Sequence, residues 1–270
     1  MTLGLFDPAF LGGLAAGGGF YDADAQAYIT AVEAADGQSL EVGVKDAINT
    51  FFVGCKADGI FSALKASCIL AGARTLNGAL VPLVSTMPAP TNAGGNFVAA
   101  DYNRKTGLAG DGSTKYLDSN RNNNADPQNS AHQSCFISTA PSTGSARIYM
   151  GTGVVDFGTT HIVRESPGKF GTRNRNGAVS SPVSVAVTGF AGHSRATSSS
   201  YTIRASATNY STSVTSQTPY AGNVFVFATN PASFYSDARL AFYSIGESLD
   251  LALLDARVTA LINAIGAAIP

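Results

Sequence analysis

The sequence predicts a mainly β protein: an antiparallel jelly-roll β-sandwich with a small helical region before it and one helix after it. Three observations carry that reading. Short β-type segments recur between Gly-, Ser- and Asn-rich turns with no helices between them, as in an antiparallel sandwich. Only 13% of the 270 residues are charged, about half the usual share, so Ser, Thr, Asn and Gly must supply most of the polar surface. A strand-like stretch from Ala238 to Ser248 then runs straight into an apolar-striped segment, Leu249–Ile265.

Residues 1–85 read as a helical N-terminal anchor region. The glycine-rich run 11–19 lacks the strand–GxGxxG–helix setting of a dinucleotide site. Asp22 or Asp24 can cap a helix carrying Tyr28, Ile29 and Val32, and Gly37 would end it. Ser39 begins a second, with Leu40, Val44, Ile48, Phe51 and Phe52 on one face. Asp58 is expected to cap a third, with Ile60, Phe61, Leu64, Cys68 and Ile69 inside. Residues 86–96 form a connector, because Pro88 and Pro90, with Pro82 before them, remove backbone donors and Gly94-Gly95 adds freedom.

Residues 97–247 carry the sandwich. The clearest strands are 146–150, 160–164, 182–188, 201–204 and 223–228; Val183, Val185 and Val187 alternate with small or polar residues, as a half-buried strand should. Asn176-Gly177 is a hairpin signal ahead of the Val183 strand. Residues 248–270 form the C-terminal amphipathic helix, with Leu251, Leu254, Val258, Leu261 and Ile265 at 3-4-3-4 spacing. An isolated helix of this size is marginal in water, so the stripe either packs on its own domain or oligomerises.

Composition bounds the function. A formal net charge of −1 with no basic run offers nothing to neutralise phosphates, so nucleic acid is not an expected partner. Before Asp7 and Pro8 the N-terminus lacks a basic signal-peptide region, and no run reaches the roughly 20 apolar residues of a membrane span. Three cysteines, Cys55, Cys68 and Cys135, without CxxC or Cys/His spacing, read as core thiols rather than a disulfide framework or zinc site.

Candidate chemistry is sparse. Asp118, Asn120 and Asn122 occupy positions 1, 3 and 5 of a calcium-loop pattern, but Asn123 and Asn129 replace its Gly and bidentate Glu. A solvated loop of Asx turns is therefore expected, an irregular calcium site being the alternative, and no cofactor is assigned. His132, His161 and His193 accompany no Gly-x-Ser-x-Gly elbow. Glycoside hydrolysis needs two carboxylates about one bond, and only Glu165, with Asp156, falls among the strands, so no enzyme is expected. Sugars stack on aromatics and take hydrogen bonds from Asn, Asp or Arg; Tyr201, Tyr210, Tyr220, Arg173, Asn174 and Arg175 have the right chemistry, although tyrosines in sandwiches more often pack, and none is assigned.

Segments 101–120, 122–129 and 238–265, taken together, resemble a family of tailed-bacteriophage virion proteins, cyanophage ones included, that carry a concanavalin A-like (laminin G-like) jelly-roll domain. The resemblance runs from about residue 20 onwards and is most specific at the C-terminus. It implies a non-enzymatic structural protein of the virion, placed in the capsid, tail, baseplate or fibre. Its implied partners are other virion proteins and copies of itself, a homotrimer favoured. The alternative is a host-recognition adhesin binding surface glycans.

Overall fold

The computed structural model describes residues 21–142, 146–166, 169–183 and 187–270. The glycine-rich run at 11–19 and Val185 lie outside them. In chain order the elements are α1 (Ala23–Asp36), α2 (Val42–Ala57), β1 (Leu64–Ile69), α3 (Leu76–Ala79), β2 (Thr91–Asn92), β3 (Tyr102–Asn103), β4 (Gly107–Ala109), β5 (Leu117–Asn122), β6 (Ala131–Thr139) and β7 (Arg147–Thr152). They continue with β8 (Thr159–Ser166), β9 (Lys169–Asn176), β10 (Ser180–Val183), β11 (Gly189–Arg195), β12 (Tyr201–Ala205), β13 (Thr208–Thr212), β14 (Asn223–Val226), β15 (Thr229–Asn230), β16 (Arg239–Gly246) and α4 (Leu251–Ala268).

Local chemistry sets the helix ends. Asp22 accepts from the amides of Asp24 and Ala25 at the start of α1, and Gly37 ends it in the left-handed region at φ 68°. Asp250 does the same work for α4, accepting from Ala252 and Leu253. Asp58 turns out to be the C-terminal cap of α2 rather than the start of a further helix.

The strands form two 8-stranded sheets. The inner sheet runs β13-β12-β11-β6-β16-β4-β3, with β1 also paired to β16; the outer sheet runs β10-β9-β8-β7-β14-β5-β2, with β15 beside β7. Every pairing is antiparallel except the two-residue contact of β15 with β7. The expected jelly-roll β-sandwich is therefore present, with helices before and after it.

Three layers result, because the inner sheet is covered on both faces. Leu240, Tyr243 and Ile245 of β16 enter the core between the sheets, while Ala241 and Phe242 enter a second core under α1, α2 and α4. A strand buried on both sides needs a nearly continuous apolar run, which Leu240–Ile245 supplies.

That arrangement corrects one expectation. Residues 64–69 form β1, paired with β16 from Leu64↔Gly246 to Ile69↔Phe242, not a third helix. The spacing misled because both faces are buried: Leu64 and Ile69 face the helices, Ala66 and Cys68 the sandwich. Residues 1–85 thus contribute a strand to the main sheet as well as helices. The connector, too, donates β2, which pairs with β5.

All five stripe residues of α4 are buried, at 2% exposure or less, and lie in the core shared with α2 and the inner sheet. Burial of five such side chains contributes about 8–15 kcal/mol, enough to decide whether this helix exists. Gly43 of α2 lets the helices close up: a Cβ there would lie 2.8 Å from Ala268 Cβ. Arg257 then grips Asp58 at 2.7 and 2.9 Å, and Arg204 of β12 grips Asp255 at 2.7 Å. The stripe is a packing surface inside one chain, so the heptad spacing supplies no seam for a trimer. With 18 residues and a mean hydropathy of 1.5, α4 is long and apolar enough to cross a membrane by composition, and this packing accounts for that character.

Candidate functional site

At its β5–β14 edge the outer sheet carries an aromatic and carboxamide strip on the face away from the inner sheet. Alternation along β5 sends Leu117 and Ser119 inward and leaves Tyr116, Asp118 and Asn120 on the outside. On β14, Val224 and Val226 enter the core and Asn223 and Phe225 face outward. The two strands pair as Asn223↔Asn122 and Phe225↔Asp118, which brings these outward residues side by side. Tyr116 stacks on Phe225 with centroids 4.6 Å apart and planes at 29°, and Tyr235 lies 6.2 Å from Tyr116. Tyr116 and Tyr235 are half-buried. Phe234 beside them is 51% exposed and held at φ 52°, a left-handed conformation costing an L residue about 1–2 kcal/mol.

Polar groups line the strip. Asp118 accepts from the Asn120 amide at 2.8 Å and from the Asn223 side chain at 3.2 Å. Asn120 donates to Ala89 O and Thr91 Oγ1, both at 2.8 Å, and Asn230 donates to Asn223 O at 3.0 Å. The three calcium-pattern residues thus sit on a β-strand and bond to protein partners. Among the described residues no three His, Cys, Asp or Glu side chains converge as a metal set.

The Gly110–Lys115 turn positions Tyr116. Asp111 accepts from the amides of Ser113, Thr114 and Lys115 and from the Thr114 hydroxyl. Burial would raise its pKa, but these donors outweigh it and hold the carboxyl well below the usual range. Arg147 then bonds Gly112 O at 3.0 Å and Tyr235 O at 3.1 Å, fixing the turn before Tyr116 and the backbone of Tyr235 against one guanidinium.

A second exposed patch occupies the β7–β8 turn at the other end of this sheet. Val154, Val155 and Phe157 are about half exposed, and Arg173 pairs with Asp156 at 2.9 Å beneath them. Gly153 and Gly158, at φ 81° and 62°, shape the turn against Tyr220.

Several residues with sugar-binding chemistry are not available to solvent. Tyr201, Asn174 and Arg175 are buried, as are all three histidines. His132 donates from Nδ1 to Glu247 O at 2.6 Å and accepts from Ser244 at 2.9 Å; Cys135 points to the opposite face of β6, into the sandwich. His161 donates from Nε2 to Gly153 O at 2.7 Å. Burial pushes both imidazoles down to about 4. The interior around His193 contains Arg175, which donates to Pro127 O and Asn123 O, and Arg195, which binds the carbonyls of Asn174, Thr197, Ser200 and Val214. These arginines pin loops to the sheet. Glu165 bonds Ser181 on β10 and Asp156 is engaged by Arg173. Cys55, Cys68 and Cys135 are buried free thiols; Cys55 belongs to the helical core and Cys68 to the sandwich core, so no bridge joins them.

Sequence reasoning singled out Asp118 and Asn120 but missed the strip. The signal was present: Tyr116, Asp118 and Asn120 alternate with Leu117 and Ser119. Reading that stretch as a loop concealed its period of two.

No protein-family model matches the chain, and no curated protein matches it. Solved structures do show similar folds. A mutant of HCR/D shares 10% identity at a TM-score of 0.50, over 73% of this chain and 52% of its own. The botulinum neurotoxin serotype D binding domain gives 9% and 0.49, over 73% and 51%. The CBM40 of the Ruminococcus gnavus IT-sialidase gives 11% and 0.38, over 49% and 83%. The NanB sialidase of Streptococcus pneumoniae gives 12% and 0.37; the chain spans about a quarter of the length of the NanB sialidase chains it matches. At these identities the likeness establishes the fold alone, a β-sandwich.

Proposed function

We propose that this chain is a non-enzymatic glycan-binding module, displayed on a larger assembly such as the virion of a tailed phage. The observation that carries the binding reading is the Tyr116–Phe225–Tyr235 strip with Asp118, Asn120 and Asn223 around it. A sugar ring buries its apolar C–H face on an aromatic and offers hydroxyls to flanking carboxamides and carboxylates. This strip offers both on one sheet face, where Tyr116 and Tyr235 are half-buried and Phe225, 8% exposed, backs Tyr116. It carries a single carboxylate, Asp118, whereas hydrolysis of a glycosidic bond generally uses two, so retention rather than cleavage is the activity that fits.

The particle setting rests on the sequence resemblance and on the low charge of the surface. Association with copies of this chain or with other virion proteins then uses surfaces other than the α4 stripe; Val42 and Val53 on α2 and Leu253 on α4 are exposed.

A glycan array probed with the purified chain tests the binding reading. Wild type is expected to retain one set of surface polysaccharides, and Tyr116→Ala to bind them about tenfold more weakly, the equivalent of about 1.4 kcal/mol. Failure of the wild type to bind any host lipopolysaccharide or capsule removes the reading, and release of fragments from a bound polysaccharide removes its non-enzymatic part.

A further inference from the structure

Between the two sheets, at the end held by Arg175 and Arg195, the core changes from apolar to polar. A cavity of about 10 Å³ lies there, lined among others by Gln133 of β6, His193 of β11 and Arg175 of β9. One face of it belongs to the inner sheet and the other to the outer. All three side chains are at least 98% buried, and each has a polar atom with no protein partner: Gln133 Oε1, His193 Nε2 and Arg175 Nε. Leaving a buried donor or acceptor unmade costs about 1–3 kcal/mol, so three converging on one cavity call for an occupant.

The donor count identifies it. Asn174 Nδ2 lies 3.3 Å from the carbonyl of Ala131, which can only accept, so this atom is the NH₂ group. The same NH₂ reaches His193 Nδ1 at 2.9 Å; Nδ1 therefore accepts, and the ring proton of the neutral imidazole sits on Nε2. Arg175 Nε is always a donor. The residues on the lining of this small space thus bring two N–H groups and one carbonyl oxygen that have no protein partner. We propose that this cavity is a binding site for a single water molecule, which accepts from His193 Nε2 and Arg175 Nε and donates to Gln133 Oε1.

Size and chemistry agree. The room is at the lower edge of the roughly 10–15 Å³ that admits one water, and three polar partners is the usual number for a buried one. A metal cation would meet two N–H donors, the one carboxylate on the lining, Asp126, being already held by Arg121, and an anion would meet the Gln133 carbonyl. The water joins Gln133 and His193 of the inner sheet to Arg175 of the outer sheet. By fixing Arg175, it also fixes the loop whose Asn123 and Pro127 carbonyls that arginine holds, and the Tyr220 backbone, to which Asn123 donates at 3.3 Å. The neutral state of His193 is consistent with this, since burial, with positive neighbours adding to it, holds its pKa far below the usual histidine value.

A high-resolution crystal structure, with a second crystal soaked in bromide, tests the site. The expected result is a peak of water weight roughly 2.7–3.2 Å from all three atoms, unchanged by bromide. The Gln133→Leu variant should lose the peak. An anomalous bromide signal at the position would overturn the proposal in favour of an anion site. So would an empty cavity in which Gln133, His193 and Arg175 bond to one another. In solution, magnetisation transfer from water to a slowly exchanging His193 Nε2 proton is expected, and a proton found on Nδ1 instead would contradict the assigned donors.

Discussion

Acid should unfold this protein well above the pH at which its carboxylates protonate. His132 and His161 are buried neutral, each with both its tautomer and its partner fixed, and burial holds their pKa values near 4 against about 6.5 in an unfolded chain. His193 is displaced in the same direction. Because the unfolded state binds protons first, these groups contribute stability that is fully present above about pH 6.5 and is lost as pH falls towards 4. At about 1.4 kcal/mol per pH unit, His132 and His161 represent about 3 kcal/mol each, and His193 adds to them. Near pH 5 the combined slope is roughly 3–4 kcal/mol per pH unit. The total rivals the whole stability of an ordinary domain, about 5–15 kcal/mol. Urea titrations followed by circular dichroism between about pH 7.5 and pH 4 should show the midpoint falling steeply below pH 6.5 at constant m-value. The His161→Gln variant should flatten that slope by about a third. Equal stability at pH 7 and pH 5, or uptake of fewer than about two protons on unfolding at pH 5, would show that the histidines are hydrated and would refute the reasoning.

Other outcomes follow from packing and backbone geometry. Leu254→Ala, at a side chain with no exposed surface, should cost about 2–5 kcal/mol by chemical denaturation while leaving the sedimentation coefficient unchanged; a change of oligomeric state would show that the α4 stripe is an interface after all. Gly107→Ala combines φ 95° with a Cβ only 2.0 Å from Leu240 O, so β4 must leave the edge of β16, and a loss of more than about 2 kcal/mol is expected; a neutral effect would disprove that pairing. Burial raises all three thiols, Cys55 and Cys68 up to about 12, so a thiol reagent at neutral pH should label none in the native protein and three per chain once unfolded. Rapid labelling of any native cysteine would show that a core is open.

Much of this fold was legible in the sequence, and the failures share one cause. Caps and periodic faces gave α1, with Asp22 before it and Gly37 after it, and the apolar stripe gave α4, because these signals are local. The strands β7, β8 and β14 of the outer sheet were legible as short β-type runs between turn residues, although nearly every residue in them is buried. β1 is buried on both faces, so it alternates in space without alternating in hydrophobicity, and its spacing passed for a helix. For the same reason a heptad stripe could not distinguish a partner in another chain from one in its own. The buried arginines and histidines were invisible as interior groups, since much of what offsets their cost is backbone carbonyls far away in sequence, Asn123 and Pro127 on Arg175 and Glu247 on His132, which no spacing rule connects. The aromatic strip depended on β14 lying beside β5, a contact between residues about 105 apart.

The most direct test of the central claim is a titration of isotope-labelled protein with a polysaccharide retained on the array, followed by chemical-shift changes. Shifts concentrated at Tyr116, Asn223, Phe225 and Tyr235, and abolished by Tyr116→Ala with the fold intact, are the predicted result. Binding that leaves those four residues undisturbed and moves Val154, Val155 and Phe157 instead would contradict it.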